Sequence, residues 1–454
     1  MTIRRTTLGF LVAVAPALGA QATPQPAARP QTTITFDEAV RIALRQNTTL
    51  QQAANAAELD EAAVRQQRFN LLPDLRLTSN TGQNYGRSFS EEEGRIIDET
   101  TRSMNAGVQS SVTIFNGFSN IASLRAAQLA RDAGELDVKR AEQTVAFTVA
   151  SNFLALVQQQ EQLRVQRENL AAEEAQERQI QAFVDAGSRP ISDLYQQQAT
   201  VAAARATVVN ANRAFELAKV DIIQTLQLDP RGDYTFAPPA LDTTARAAVR
   251  TLNLDSLLTR ALAQRTDLDA QETLVGAAGQ DVRAAKGGRW PSLSLSAGYN
   301  TAFNSATEVG FVDQLDQRRG GSIGFGLSIP LWDRGSAGVA TQRAQISEDN
   351  ARLTLKDRQQ QVGLEVRRAY LDYQAAIQQL EAAEAQLRAA SLALEAAQQR
   401  YNVGAATLLE VTQARAAQTQ AASALISARY GLLFQRTAIG YYVGDLNPRA
   451  ASIG

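Results

Sequence analysis

The chain of 454 residues contains no histidine and no cysteine, so any chemistry it performs falls to carboxylates, hydroxyls and cations. That excludes disulfides, thiol nucleophiles, haem attachment and His or Cys metal centres. It leaves carboxylates that could hold hard cations only weakly. No Gly-rich phosphate loop and no Ser nucleophile elbow is present, and scattered acid pairs on helices are the ordinary polar face. A non-enzyme without a cofactor is therefore expected. Two acids stand out by position. Thr407-Leu408-Leu409-Glu410 has the spacing of a capping box, in which Glu410 bonds back to the start of its helix. Asp193 falls in the first turn after Pro190, where a negative charge favours the helix dipole.

Both acids lie at matching places in a duplicated sequence. Thr35-Phe36-Asp37-Glu38-Ala39-Val40 reappears as Asn253-Leu254-Asp255-Ser256-Leu257-Leu258. In the same order, Leu71-Leu72-Pro73-Asp74-Leu75 matches Arg289-Trp290-Pro291-Ser292-Leu293, and the segment around Phe115-Asn116-Gly117 matches Leu331-Trp332-Asp333 with Gly335 close behind. Ala186-Gly187-Ser188-Arg189-Pro190 returns as Val403-Gly404-Ala405-Ala406-Thr407.

Each unit begins with a helix, about 37–70 and 255–286, that should stop at Pro73 or Pro291, since proline cannot continue a helix. Two stretches with apolar residues at every second position follow, clearest in Leu293, Leu295, Ala297, Tyr299 and in Ile323, Phe325, Leu327, Ile329. They predict strands at about 74–86, 104–115, 291–303 and 320–331. Polar loops separate the members of each pair, one of them with Glu91-Glu92-Glu93. A proline-free helix of about 100 Å comes next, and a second helix returns, so each unit ends in a helical hairpin. The tips, 185–190 and 402–407, carry glycine where the backbone must turn left-handed. In the second hairpin Leu380, Leu387, Leu394 and Tyr401 recur in register with Ala376, Ala383, Ala390 and Ala397, a coiled-coil seam with one large and one small position. The first hairpin's seam reads weaker, because Leu163 and Leu170 are followed by Glu177.

Arg4 and Arg5 precede an apolar stretch from Leu8 to Leu18 and then Ala20-Gln21-Ala22, the pattern of a secretory signal at 1–22. The organisation expected is a flexible segment at 23–34, a first repeat at 35–229, a linker at 230–252, a second repeat at 253–444 and a tail at 445–454. Net charge is −1 without a basic run, so nothing points to nucleic acid. An exported chain with no apolar helix long enough to cross a bilayer has a closed β-barrel as its remaining way to span one. Four strands cannot close, so several chains must share the barrel.

The duplicated order of helix, Pro-led strand, loop, strand and hairpin, with the paired tips and the Phe115-Asn116-Gly117 and Trp332-Asp333-Arg334-Gly335 segments, resembles the TolC family of outer-membrane channel proteins. The resemblance implies an α+β membrane protein: a homotrimer whose four strands per chain build a twelve-stranded outer-membrane barrel on a long periplasmic helical coiled-coil tunnel. It also implies passive export, a periplasmic adaptor docking on the hairpin tips around Gly187, Ser188, Gly404 and Ala405, and an inner-membrane transporter as the energised partner. In that family an acidic constriction follows the second tip, which here corresponds to Glu410 and Gln413, the latter a departure because an acid is usual. The family also ties its tunnel shut with an Arg and a Tyr near the second tip against an acid of the first unit. Tyr401 and Asp193 correspond, the Arg position is Ala406, and Arg189 occupies the equivalent place in the first unit. A periplasmic adaptor or coiled-coil scaffold without a barrel is the rival reading, but it needs neither two tandem units nor paired alternating strands.

Overall fold

The computed structural model describes residues 32–90, 94–98, 100–237 and 252–448. The expected signal segment, Glu91 to Glu93, Pro238, Pro239 and the end of the tail lie outside them.

The duplication is visible in element lengths. The first unit has α1 (Phe36–Gln46), α2 (Thr48–Phe69), α3 (Ser119–Asp185) and α4 (Ile191–Leu226). The second has α5 (Leu254–Gln264), α6 (Thr266–Gly287), α8 (Ser336–Asn402) and α9 (Leu408–Val443), with the same lengths of 11, 22, 67 and 36 residues. The opening helix of each unit is thus two helices, where sequence periodicity suggested one. Asn47 breaks the first: its side chain accepts from the Thr49 and Leu50 amides and caps α2. The break in the second falls at Arg265, which cannot cap in that way. Its guanidinium instead bridges Asp267 (2.7 Å) and Glu365 (2.6 Å), an ion cluster buried against α8.

Strands β2 (Arg76–Asn84), β5 (Thr101–Asn116), β7 (Ser292–Asn304) and β8 (Gly320–Ser328) form one antiparallel sheet in the order β2-β5-β7-β8. Register sorts its faces. Leu77, Val108 and Tyr299 line up on one side, as do Val112, Leu295 and Phe325, while Thr78, Gly107 and Asn300 share the other with Ser111, Ser296 and Gly324. A bulge between Thr113 and Phe115 sets Phe115 opposite Leu293 on the apolar side. The first inter-strand loop holds a hairpin of β3 (Arg87–Ser90) and β4 (Arg95–Asp98), and the second holds α7 (Phe311–Gln317), where sequence suggested only polar loop.

The helical layer repeats the order of the sheet. Helix α2 packs on α3, α3 on α6, and α6 on α8, so β5, β7, α3 and α6 are inner elements, and β2, β8, α2 and α8 flank them. Where strand gives way to helix, Gly117 (φ +65°) and Gly287 touch so closely that a Cβ on Gly117 would lie 2.6 Å from the Gly287 carbonyl. The units interlock: Tyr430 and Leu433 of α9 join the first unit's core around Phe36, Phe153 and Ile222. That core is closed by β1 (Thr32–Ile34) pairing in parallel with β6 (Tyr234–Phe236), a strand pair inside stretches read as flexible segment and linker. Among the described residues no helix is long and apolar enough to cross a membrane.

The seam on α8 runs further than its sequence signature. Val362, Val366, Ala369, Tyr373, Ala376, Leu380 and Ala383 are all buried, the expected Leu387, Ala390 and Leu394 are only half-buried, and Ala397 and Tyr401 finish it at the tip. Replacing Ala383 by Leu should force α8 and its neighbour apart at a cost of about 1–3 kcal/mol, whereas Leu392→Ala on the exposed side should change stability by less than about 0.5 kcal/mol. Denaturant unfolding in detergent measures both, and equal effects would place the seam elsewhere. The buried cluster gives a second expectation. Burial pushes the Asp267 carboxyl up, but the Arg265 hydrogen bond and charge, with Arg140 and Arg358, hold it below its ordinary value overall. A depressed carboxylate stabilises fully above its unfolded value of about 3.9 and loses that contribution as pH falls through the folded value. Wild type should therefore lose melting temperature between about pH 5 and pH 2 more steeply than Asp267→Asn.

Candidate functional site at the hairpin tips

Both hairpins turn by the same local chemistry. Past α3 the Gly187 amide bonds to the Val184 carbonyl and the Ser188 amide to Phe183, each 2.9 Å. Past α8 Gly404 bonds to Tyr401 (3.1 Å) and Ala405 to Arg400 (2.7 Å). With φ of +70° at Gly187 and +79° at Gly404, these are two Schellman turns. Gly187, Ser188, Gly404 and Ala405 are exposed, and no Cβ on either glycine would meet an atom within 4 Å. The glycines are needed for backbone sign rather than for space.

The two tips hold each other. Ile180 and Leu194 of the first hairpin pack with Ala397, Tyr401, Ala406, Leu408 and Val411 of the second. Arg189 crosses between them, donating from Nη2 to the Tyr401 carbonyl (3.0 Å) and laying its guanidinium over the Tyr401 ring at 4.4 Å. Tyr401 is 1% exposed, and its hydroxyl has no hydrogen-bond partner among the described residues. Burial pushes that hydroxyl's pKa up, Arg189 opposes the shift and the nearby Asp193 charge adds to it. Arg189, Tyr401 and Asp193 therefore share one neighbourhood, while Ala406 is buried in the apolar cluster beside them.

Glu410 and Gln413 lie on the next helix. Glu410 makes the capping box: its carboxylate accepts from the Thr407 amide (3.2 Å) while its own amide donates to the Thr407 hydroxyl (3.3 Å). Its other oxygen pairs with Arg400 at 3.2 Å, so the carboxylate is held by a cap and offset by a cation. Gln413 is exposed, turned away from the buried Leu408, Val411 and Arg415.

Sequence reasoning missed a polar layer just above the tips. Glu173 of α3, Gln197 of α4 and Arg415 of α9 are all buried. Gln197 donates to the Glu173 carboxylate (2.6 Å) and carbonyl (3.0 Å). Arg415 reaches the same carboxylate (3.5 Å) and the Ala172 carbonyl (3.1 Å). The signal was present: Glu173 and Gln176, with Ile180, follow the seam spacing on α3, and they, rather than Glu177, are its buried polar members.

The sequence matches the family described as outer membrane efflux protein over residues 39–226 and again over 257–444. The chain belongs to the outer membrane efflux protein family. The outer membrane protein TolC of Vibrio cholerae is 26% identical over 395 residues, covering 86% of this chain and 87% of that protein. The channel protein CusC superposes with a TM-score of 0.77 at 17% identity, over 95% of this chain and 99% of that one. The CmeC outer membrane channel of Campylobacter jejuni gives 0.77 at 18% identity, over 92% and 87%. The TolC-family resemblance read from the duplicated units is thereby borne out. This efflux family member is an outer membrane protein, and the solved structures it superposes on are described as channels.

Removing the tip-to-tip contact should loosen the tips alone. Arg189→Gln is expected to raise amide exchange around 401–406 by about tenfold, the worth of one hydrogen bond and one cation–π contact. Hydrogen exchange read by mass spectrometry checks this, with β7 as the unchanged reference, and unchanged tips would show that the apolar cluster suffices.

Proposed function

We propose that three copies join edge to edge, β8 of one beside β2 of the next, into a barrel of about twelve strands that continues into a periplasmic helical tunnel. The observation carrying this reading is the sheet itself. Among the described residues its edges are open, its apolar face is exposed through residues such as Leu77, Ile323 and Phe325, and its other face is mainly Ser, Gly, Asn and Thr, with Arg76 and Gln109 among them. Hydrocarbon tolerates neither an unpaired edge nor a polar outer face, so the apolar side meets lipid and the polar side lines water. The conduit is passive: substrates arrive from an inner-membrane transporter through a periplasmic adaptor that docks on the exposed tips at Gly187, Ser188, Gly404 and Ala405.

At the tips, Arg189 stands in for the arginine absent at Ala406, clamping Tyr401 with Asp193 close by, and holds the mouth closed. Glu410, Gln413 and Asp193 form the constriction. Three Glu410 copies near an axis would attract cations, but Arg400 and the cap offset each one, and Gln413 adds no charge, so selectivity is mild.

Single-channel recording in planar bilayers under a salt gradient tests this reading. Wild type should prefer cations. Glu410→Gln, which keeps the cap, should lower the preference by about twofold, and Asp193→Asn should lower it further. Ohmic pores with unchanged reversal potential in both variants would move the constriction away from these residues, and no conductance from folded protein would contradict the channel.

A further inference from the structure

We propose that the junction of sheet and helical layer carries a binding site for the headgroup of an anionic phospholipid of the periplasmic leaflet. A cleft of about 500 Å³ opens between the start of α3 and the end of α6, lined by Phe118, Ile121, Arg125, Arg283, Lys286 and Trp290. It exists because Gly117 and Gly287 bring the two backbones together there, so larger side chains splay on either side.

Charge identifies the ligand class. Arg125, Arg283 and Lys286 are exposed, and none of them has a carboxylate within ion-pair distance among the described residues. One weak bond from Arg283 to Gln280 (3.4 Å) is their polar contact. Two other arginines of α3 are answered locally: Arg131 lies beside Asp132, and Arg164 is held by Glu161 and Glu168. Lys286, in the last turn of α6, is favoured by the helix dipole, but Arg125, near the opposite pole of α3, gains nothing from its dipole. Three cations converging on one cleft, with no carboxylate among its lining residues, offer a site for an anion.

Position makes that anion a lipid. Phe118 packs edge-on against Phe115 at 5.3 Å, and Phe115 sits opposite Leu293 on the apolar face of the sheet, so the cleft opens on the side that meets hydrocarbon. Arg125 lies roughly 10 Å beyond the last strand residue along α3, within reach of the headgroup layer once its side chain snorkels. Trp290, 62% exposed, adds the amphipathic ring typical of that layer. The cleft lies between inner strands and inner helices, so copies joining at β2 and β8 leave it open. A phosphodiester whose charge is not offset by an ammonium in its own headgroup fits three cations better than a zwitterionic headgroup does.

The inference rests on the outer-membrane placement, and native mass spectrometry of the detergent-purified assembly separates the two. Offered equal phosphatidylglycerol and phosphatidylethanolamine, wild type should retain the former about tenfold more strongly. The combined variant Arg125→Gln, Arg283→Gln, Lys286→Gln should retain both equally with an unchanged melting temperature. Should that variant not fold, Arg283→Gln alone should still lower the preference about threefold. Equal retention by wild type, an undiminished preference in a folded variant, or displacement of the lipid by inorganic phosphate would each overturn the site. A wild-type protein that stays dispersed without detergent and retains neither lipid would contradict the membrane placement and the site with it.

Discussion

An unpaired β-edge cannot be left in hydrocarbon, because each orphaned backbone N–H and C=O costs several kcal/mol without water to meet it. This chain has such edges on β2 and β8, beside an apolar face that water would not tolerate either. The sheet is therefore an arc of something larger, and the rest of the molecule is organised around completing it. Duplication gives two hairpins that place β5 against β7 at the centre, and the helical layer copies that order as α2, α3, α6 and α8. One closure along a single pair of edges can then seal strands and helices together.

Away from the membrane the constraint changes to holding long helices side by side. Alanine at Ala369, Ala376 and Ala383 allows close approach, with Tyr373 and Leu380 filling the alternate layers. The buried charges inside this packing are answered. Arg265 is matched by Asp267 and Glu365 at a helix break, and Glu173 by Gln197 and Arg415 near the tips. Breaking either set would strand a buried charge, which is costlier than the pair is stabilising. At the tips Arg189 reaches from the first hairpin to Tyr401 of the second, beside the apolar cluster the two hairpins share.

Sequence made legible what short-range physics decides. Pro73 and Pro291 end helices, Gly187 and Gly404 turn them, and alternation in Leu293 to Tyr299 announces a two-faced strand; all follow from backbone rules acting over a few residues. The capping box at Thr407 and Glu410 was readable for the same reason. What was not legible depends on partners far along the chain. The break at Arg265 needs Glu365, 100 residues on, and the pairing of β1 with β6 joins segments too short to show a period. Arg189 could not be assigned from sequence because its partner, Tyr401, comes from the other unit.

In the proposed assembly, copies of this chain close through β2 and β8. Within one chain these strands are separated by β5 and β7, about 14 Å at ordinary strand spacing, beyond the reach of a disulfide. Because the natural sequence has no cysteine, a set of paired substitutions, one cysteine between Arg76 and Asn84 and one between Gly320 and Ser328, would carry the only thiols. Oxidised in outer membranes and separated under denaturing, non-reducing conditions, correctly registered pairs should give covalent species that stop at three chains. Monomers alone across the whole set, or a ladder continuing past three, would contradict the account.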